Sequence, residues 1–204
     1  DLDNPEAPPR LVAAREEGVQ YSLADHGDQL FILTNADGAI DFKVMTAPLA
    51  SPERAGWRDL IPHREGIYVL DVELYAGHMV RLERANALPA IIIRDLKTGE
   101  EHAIAFDEAA YSLDTMGSYE FETTNLRFSY SSMTTPSEVY DYDMATRARV
   151  LRKRQEIPSG HNPADYVTTR IMATSHDGAL VPVSILHRKD LVRDGSAPLL
   201  LYGY

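Results

Sequence analysis

Apolar and polar residues alternate in short runs along most of the chain, and turns rich in glycine separate the runs. Alternation over about four to eight residues is typical of β-strands with one buried face. No segment before residue 155 has the residue spacing of an amphipathic helix. The pattern predicts strands near residues 10–14, 21–24, 29–34, 41–46, 57–61, 69–75, 78–83, 90–95, 101–106, 111–115, 125–131, 138–143 and 147–152.

After the first of these strands, the others fall into three successive groups of four. Corresponding positions lie about 40 to 50 residues apart, which is the length of one propeller blade. The tripeptide Tyr-Ser-Leu opens two of the groups, at residues 21–23 and 111–113. We therefore predict an all-β region over residues 1–154, an incomplete β-propeller of about three four-stranded antiparallel blades plus the edge of a fourth.

The pattern changes after residue 154. Residues 155–165 contain prolines, a glycine and polar residues, as expected of a linker between domains. Residues 166–175 and 180–187 are predicted to form a hairpin that turns at Asp177 and Gly178. The unbroken apolar run 199–202 is typical of a strand buried on both faces of a parallel sheet. Because nothing in the chain could cover both faces, we expect the sequence to be a piece of a longer protein.

Two stretches carry a resemblance to a known family. The LYGY run at 201–204 and the FSYSSMTTPSEVYDYDM run at 128–144 resemble the prolyl oligopeptidase family of serine peptidases, in its oligopeptidase B (protease II) branch. The resemblance implies that residues 166–204 are the first strands of an α/β-hydrolase domain. It also implies that Tyr204 donates its phenol hydroxyl to the oxyanion hole. The 128–144 run is expected to be structural, its Ser and Thr hydroxyls bonding nearby backbone.

No nucleophile motif is present. The family requires Ser, His and Asp, with the serine in a G-x-S-x-G turn. Ser196 follows a glycine but precedes Ala197 and Pro198, which predicts a loop. By resemblance the triad lies downstream of the LYGY strand, so the nucleophile, base and acid are expected to be absent and the fragment alone inactive.

Composition narrows the choice of partners. The formal net charge of -11 disfavours nucleic acid and favours cationic partners such as short basic peptides. No apolar run is long enough to cross a membrane. The chain has no cysteine, which excludes thiolate metal sites and fits a reducing compartment, so a cytoplasmic location is expected.

The sequence gives only weak signals for a metal site. The seven histidines show no metal-ligand spacing, and no metal or cofactor is expected. Asp141 and Asp143 alternate on one strand and are interpreted as part of a solvated outer strand rather than a calcium site. Trp57 and the tyrosines are expected to pack between blades.

Two functions remain open. The first is a serine oligopeptidase that cuts short peptides after Lys or Arg through an acyl-enzyme, with the propeller gating access. In that case the chain's partners include the rest of its own propeller and catalytic domain. The alternative is a non-catalytic propeller-like binding module. A coding sequence that continues past Tyr204 to a G-x-S-x-G motif would favour the enzyme.

Overall fold

The structure, a computed structural model, describes residues 5–6 and 8–203. It is all-β in this part of the chain, with three short 3-10 helices. The first sheet contains β1 (Tyr21–His26), β2 (Gln29–Thr34), β3 (Lys43–Pro48) and β4 (Arg58–Ile61). The second contains β5 (Ile67–Leu74), β6 (His78–Ala85), β7 (Leu88–Asp95) and β8 (Glu101–Ala103). The third contains β9 (Tyr111–Thr115), β10 (Asn125–Ser132), β11 (Glu138–Asp143) and β12 (Arg149–Arg154). A separate hairpin pairs β13 (Tyr166–Thr174) with β14 (Leu180–Arg188).

Each four-stranded sheet is an antiparallel meander whose strands neighbour one another in chain order. The sheets begin at Tyr21, Ile67 and Tyr111, which are 46 and 44 residues apart. The predicted repeat of propeller-like blades is therefore confirmed. Every residue of β12 is exposed, as the charged sequence of this outer strand indicated.

Successive sheets pack against each other through apolar side chains. Val44 of the first sheet and Met79 of the second belong to one buried cluster. On the other face of the second sheet, Ile91 and Ile93 pack with Phe128 of the third, and all three side chains are fully buried. Burying one such side chain contributes about 1.5–3 kcal/mol, so these two interfaces hold the sheets together.

The strand predicted near residues 10–14 does not form. Val12 and Ala13 instead pack against the cluster that contains Trp57, and the Tyr21 hydroxyl donates a hydrogen bond of 3.1 Å to the carbonyl of Ala13. The Tyr21 side chain thus occupies the carbonyl oxygen of Ala13, which in a strand would accept a hydrogen bond from the neighbouring strand. The described residues contain no edge of a fourth blade at this position.

The strand predicted at residues 199–202 is also absent. Leu199, Leu200, Leu201 and Tyr202 are 82 to 90% exposed. Among the described residues no strand is paired with this segment through backbone hydrogen bonds. A strand needs a neighbour for its backbone hydrogen bonds, so an apolar sequence by itself does not produce one.

Candidate functional site

Tyr204, the predicted oxyanion-hole donor, lies outside the described residues. Ser196 does lie within them, and its hydroxyl donates a hydrogen bond of 2.6 Å to Asp194 in an exposed loop. That geometry agrees with a loop and not with a nucleophile turn.

The most concentrated polar group lies at one end of the third sheet, around Glu108. Four hydroxyls donate hydrogen bonds to its carboxylate. Tyr130 donates at 2.7 Å, Thr134 at 2.8 Å and Thr135 at 2.6 Å, and Ser132 is the fourth donor. Partial burial acts to raise the pKa of Glu108, but the four hydrogen bonds outweigh it and hold that pKa below its usual value.

The Glu108 cluster fixes the loop that joins β10 to β11. The Ser132 hydroxyl oxygen also accepts hydrogen bonds from the amides of Thr134 (3.0 Å) and Thr135 (2.8 Å). Burial and then the hydrogen bond to Glu108 raise the pKa of Tyr130, so its phenol stays a donor. The expectation that hydroxyls of the 128–144 run bond local backbone is confirmed for Ser132.

A histidine connects this loop to the segment that follows the third sheet. His161 Nε2 lies 2.6 Å from the carbonyl oxygen of Thr134, and the His161 ring packs against Tyr166 with ring centres 5.6 Å apart. The 3-10 helix Pro163–Asp165 lies between these two rings in sequence, and the Asn162 side chain caps it by accepting from the Ala164 amide. The loop, residues 161–165 and the start of β13 therefore form one continuous set of contacts.

A cavity of about 380 Å³ lies beside this set of contacts. Its wall comes from the turn between β6 and β7, from the third sheet and from the terminal hairpin. Arg170 of β13 lines it, and the Nη2 atom of Arg170 is buried without a hydrogen-bond partner among the described residues. Ser184 stands opposite Arg170 in the hairpin register and also lines the cavity.

Asp141 differs from the sequence-based interpretation. It is a buried residue that accepts hydrogen bonds from Arg127 Nε and Arg152 Nε, both at 2.7 Å. The pKa of Asp141 is below its usual value, and the hydrogen bond from Arg127 is the largest cause of this shift. The interpretation as a solvated carboxylate is therefore wrong for Asp141. Asp143 caps a turn by accepting from the amides of Ala145 and Thr146.

The described residues contain neither a metal-binding cluster nor a membrane-spanning helix. They contain no cluster of three or more His, Cys, Asp or Glu side chains that could hold a metal ion. Within the same part of the chain, no helix has the length and apolar character required to span a bilayer. What the arrangement can do chemically is hold the loop after β10 rigid and present a guanidinium to an anion.

Comparison with known proteins agrees with the three-sheet architecture. The sequence model of one family, described as "Prolyl oligopeptidase, N-terminal beta-propeller domain", matches residues 1–155. The chain belongs to the prolyl oligopeptidase family.

Relatives of the chain within this family are named as peptidases. Dipeptidyl aminopeptidase BI of Pseudoxanthomonas mexicana is 43% identical over 95% of the chain. Protease 2 of Moraxella lacunata is 25% identical over the whole chain. Among solved structures, oligopeptidase B from Trypanosoma brucei with covalently bound antipain is similar, with a TM-score of 0.81 and 30% identity over 89% of the chain. Oligopeptidase B from Leishmania major has the same TM-score, with 28% identity over 90% of the chain.

The chain spans only about a quarter of these prolyl oligopeptidase relatives. It covers 27% of the dipeptidyl aminopeptidase, 29% of the Moraxella protease and 27% of each of the two oligopeptidase B chains. The matched propeller region ends one residue after β12, so the hairpin that carries Arg170 lies beyond it.

Sequence reasoning missed both Glu108 and Arg170. A signal existed for Glu108, because the hydroxyl-rich run 130–135 needs an acceptor. That signal did not identify the carboxylate that accepts these hydrogen bonds, because Glu108 is 22 to 27 residues away in sequence. For Arg170 no local signal existed, because the cavity forms only where the hairpin, the third sheet and the turn between β6 and β7 come together.

Proposed function

We propose that the intact protein is a serine peptidase that hydrolyses short peptides through an acyl-enzyme. The observation that carries this proposal is the family match over residues 1–155, on a chain folded into three propeller-like sheets. The peptidase names of the relatives support it, and covalently bound antipain in the Trypanosoma structure fits a covalent mechanism. In this proposal the three sheets are part of a propeller that limits access to the active site.

The proposal divides the chain into three parts: a partial propeller at 1–154, a linker at 155–165 and the start of an α/β-hydrolase domain at 166–204. The end of β12 at Arg154 and the absence of strands between β12 and β13 support these boundaries. The triad Ser, His and Asp is assigned to the rest of the protein. The 204-residue chain alone is therefore expected to show no serine-reagent-sensitive hydrolysis.

Tyr204 is proposed to donate a hydrogen bond to the oxyanion of the tetrahedral intermediate. One such donor lowers the barrier by about 2–4 kcal/mol. In the intact protein, Tyr204→Phe is expected to lower kcat by about 100-fold or more with little change in KM. Tyr202→Phe, two residues earlier in the same run, is the matched control and should keep kcat. Equal activity of both variants and the wild type would remove Tyr204 from the mechanism.

For substrate class, the proposal is cleavage after Lys or Arg. The net charge of -11 supports it, because an acidic protein attracts cationic peptides. A second candidate is the release of dipeptides from a free amino terminus, which the 43% identity to a dipeptidyl aminopeptidase favours. We also propose a cytoplasmic location, since a cysteine-free chain fits a reducing compartment.

A pair of fluorogenic substrates separates the two candidates. Both carry arginine at the scissile bond, and they differ only in whether the amino terminus of the dipeptide is blocked or free. An oligopeptidase hydrolyses the blocked substrate, whereas a dipeptidyl peptidase requires the free amine. Absence of serine-reagent-sensitive hydrolysis of either substrate by the intact protein would contradict the proposed function.

A further inference from the structure

Arg170 combines two features, a lack of an ion-pair partner among the described residues and a side-chain nitrogen that is buried. Arg64, Arg81, Arg94, Arg127, Arg152 and Arg154 each form an ion pair with a carboxylate. Arg170 has no ion pair or side-chain hydrogen bond among the described residues, although its Nη2 atom is removed from solvent. A buried guanidinium nitrogen without an acceptor is costly, so an acceptor group at this position, above all an anionic one, would be stabilising.

The surroundings of Arg170 are suited to an anion. Ser184 lies beside it on the same face of the hairpin. Across the cavity stand Ser112 and Ser131, which are register partners on β9 and β10. None of these three hydroxyls takes part in a side-chain hydrogen bond within the described residues, so each is free to donate. Of the residues that line the cavity, none is acidic.

A second polar atom on the same face of the hairpin also lacks a partner. The Thr168 hydroxyl is also buried without a hydrogen bond among the described residues. Thr168 and Arg170 are two residues apart on β13, so their side chains point to the same face of the hairpin. Two orphaned polar atoms on one face indicate a missing polar group rather than an isolated irregularity.

We propose that this cavity, lined by Arg170, Ser184, Ser112 and Ser131, binds a carboxylate group. The planar guanidinium accepts a carboxylate through two parallel hydrogen bonds, and the serine hydroxyls complete its coordination. The cavity of about 380 Å³ has room for the end of a peptide or for one acidic side chain. The carboxylate comes either from an Asp or Glu in the rest of the intact protein or from the C-terminus of a bound peptide. The site does not depend on the proposed peptidase activity.

Substitution of Arg170 in the intact protein distinguishes these two sources. Arg170→Met removes the charge and keeps much of the apolar length. Arg84→Met is the matched control. Arg84 lies near the end of β6, next to the turn that forms part of the cavity wall, but its side chain is exposed. The first measurement is the midpoint of thermal unfolding without ligand. The second is the affinity, by calorimetry, for N-acetyl-glycylglycine and for its C-terminal amide.

If the carboxylate belongs to the protein, Arg170→Met leaves it buried and unpaired, and the unfolding midpoint falls by about 2 °C or more. Arg84→Met leaves the midpoint unchanged. Arg170→Lys keeps the charge and restores part of the loss. A loss that Arg170→Lys does not restore at all is a packing effect and overturns the proposal.

If the carboxylate is a peptide C-terminus, the wild type binds the acid at least about tenfold more tightly than the amide. Arg170→Met abolishes that difference without lowering the unfolding midpoint, and Arg84→Met retains it. The proposal is overturned if the wild type does not discriminate the acid from the amide and Arg170→Met does not lower the midpoint.

Discussion

Arg81 and Glu101 form a two-point ion pair that crosses an intervening strand. Arg81 Nη1 donates to Glu101 Oε1 at 2.8 Å, and Nη2 donates to Oε2 at 2.9 Å. Arg81 lies on β6 and Glu101 on β8, with β7 between them. Burial acts to lower the pKa of Arg81, but the hydrogen bonds to Glu101 and Glu83 outweigh it, so that pKa is above its usual value. The pair attaches the short outer strand β8 to the centre of the second sheet.

Removal of the Arg81 guanidinium is expected to be strongly destabilising. Arg81→Met leaves Glu83 and Glu101 without their buried partner and should lower the free energy of unfolding by about 3 kcal/mol or more. Arg94→Met is the matched control, because Arg94 also donates to Glu101 at 3.0 Å but its side chain is 24% exposed. That control should cost less than about 1 kcal/mol. Urea unfolding of both variants measures the difference, and similar losses would refute the special role of the two-point pair.

The four hydroxyl hydrogen bonds to Glu108 lead to a second prediction. Glu108→Gln replaces a carboxylate by an amide that cannot accept all four, so it should lower the free energy of unfolding by about 1–3 kcal/mol. Hydrogen exchange at the amides of Thr134 and Thr135 should become faster, since their loop loses its anchor. Asp107→Asn, at an exposed neighbour, is the control and should change neither quantity.

The effect of Glu108 should depend on pH in a defined direction. Its folded-state pKa is lower than the usual 4.5, so its contribution to stability is fully present above that value and is lost as the pH falls through the folded-state pKa. The difference in unfolding free energy between the wild type and Glu108→Gln should therefore shrink between pH 7 and pH 3. A difference that stays constant over this range would show that the carboxylate charge is not responsible.

Most strands could be predicted from the sequence, because the signals for a strand, alternation and neighbouring turn residues, are local. β2, β9 and β11 have the bounds that alternation and neighbouring turn residues predicted. Buried polar pairs were not predictable, because they depend on register between strands. Arg127 faces Asp141 directly across β10 and β11, and this pairing turns an apparently solvated carboxylate into a buried one.

The two predicted strands that are absent from the structure show what an apolar run alone does not predict. Residues 10–14 and 199–202 have apolar sequences typical of strands, but neither is paired with a strand among the described residues. An apolar run indicates that a segment is suited to burial. Whether it becomes a strand depends on a partner for its backbone, which local sequence does not provide.

The hairpin turn between β6 and β7 contains a strained position. Asn86 and Ala87 both have positive φ, at 50° and 58°, and the strands close around them with Ala85 opposite Leu88. Such a two-residue turn favours glycine at its second position, where alanine is disfavoured. Ala87→Gly is expected to raise the free energy of unfolding by about 0.5–1 kcal/mol. Ala90→Gly, in the interior of β7, should lower it, and thermal unfolding of the two variants tests the opposite signs.

Leu200 provides a test of the proposed α/β-hydrolase strand. In the 204-residue chain its side chain is 90% exposed, so Leu200→Asp should leave the unfolding midpoint unchanged. In the intact protein the proposed parallel sheet buries residues 199–202 on both faces, and an aspartate there would be an unpaired buried charge. The same substitution should then lower the free energy of unfolding by about 3 kcal/mol or more. Urea denaturation of the intact wild type and variant measures this loss, and equal stability of the two would mean that the segment is not a buried strand.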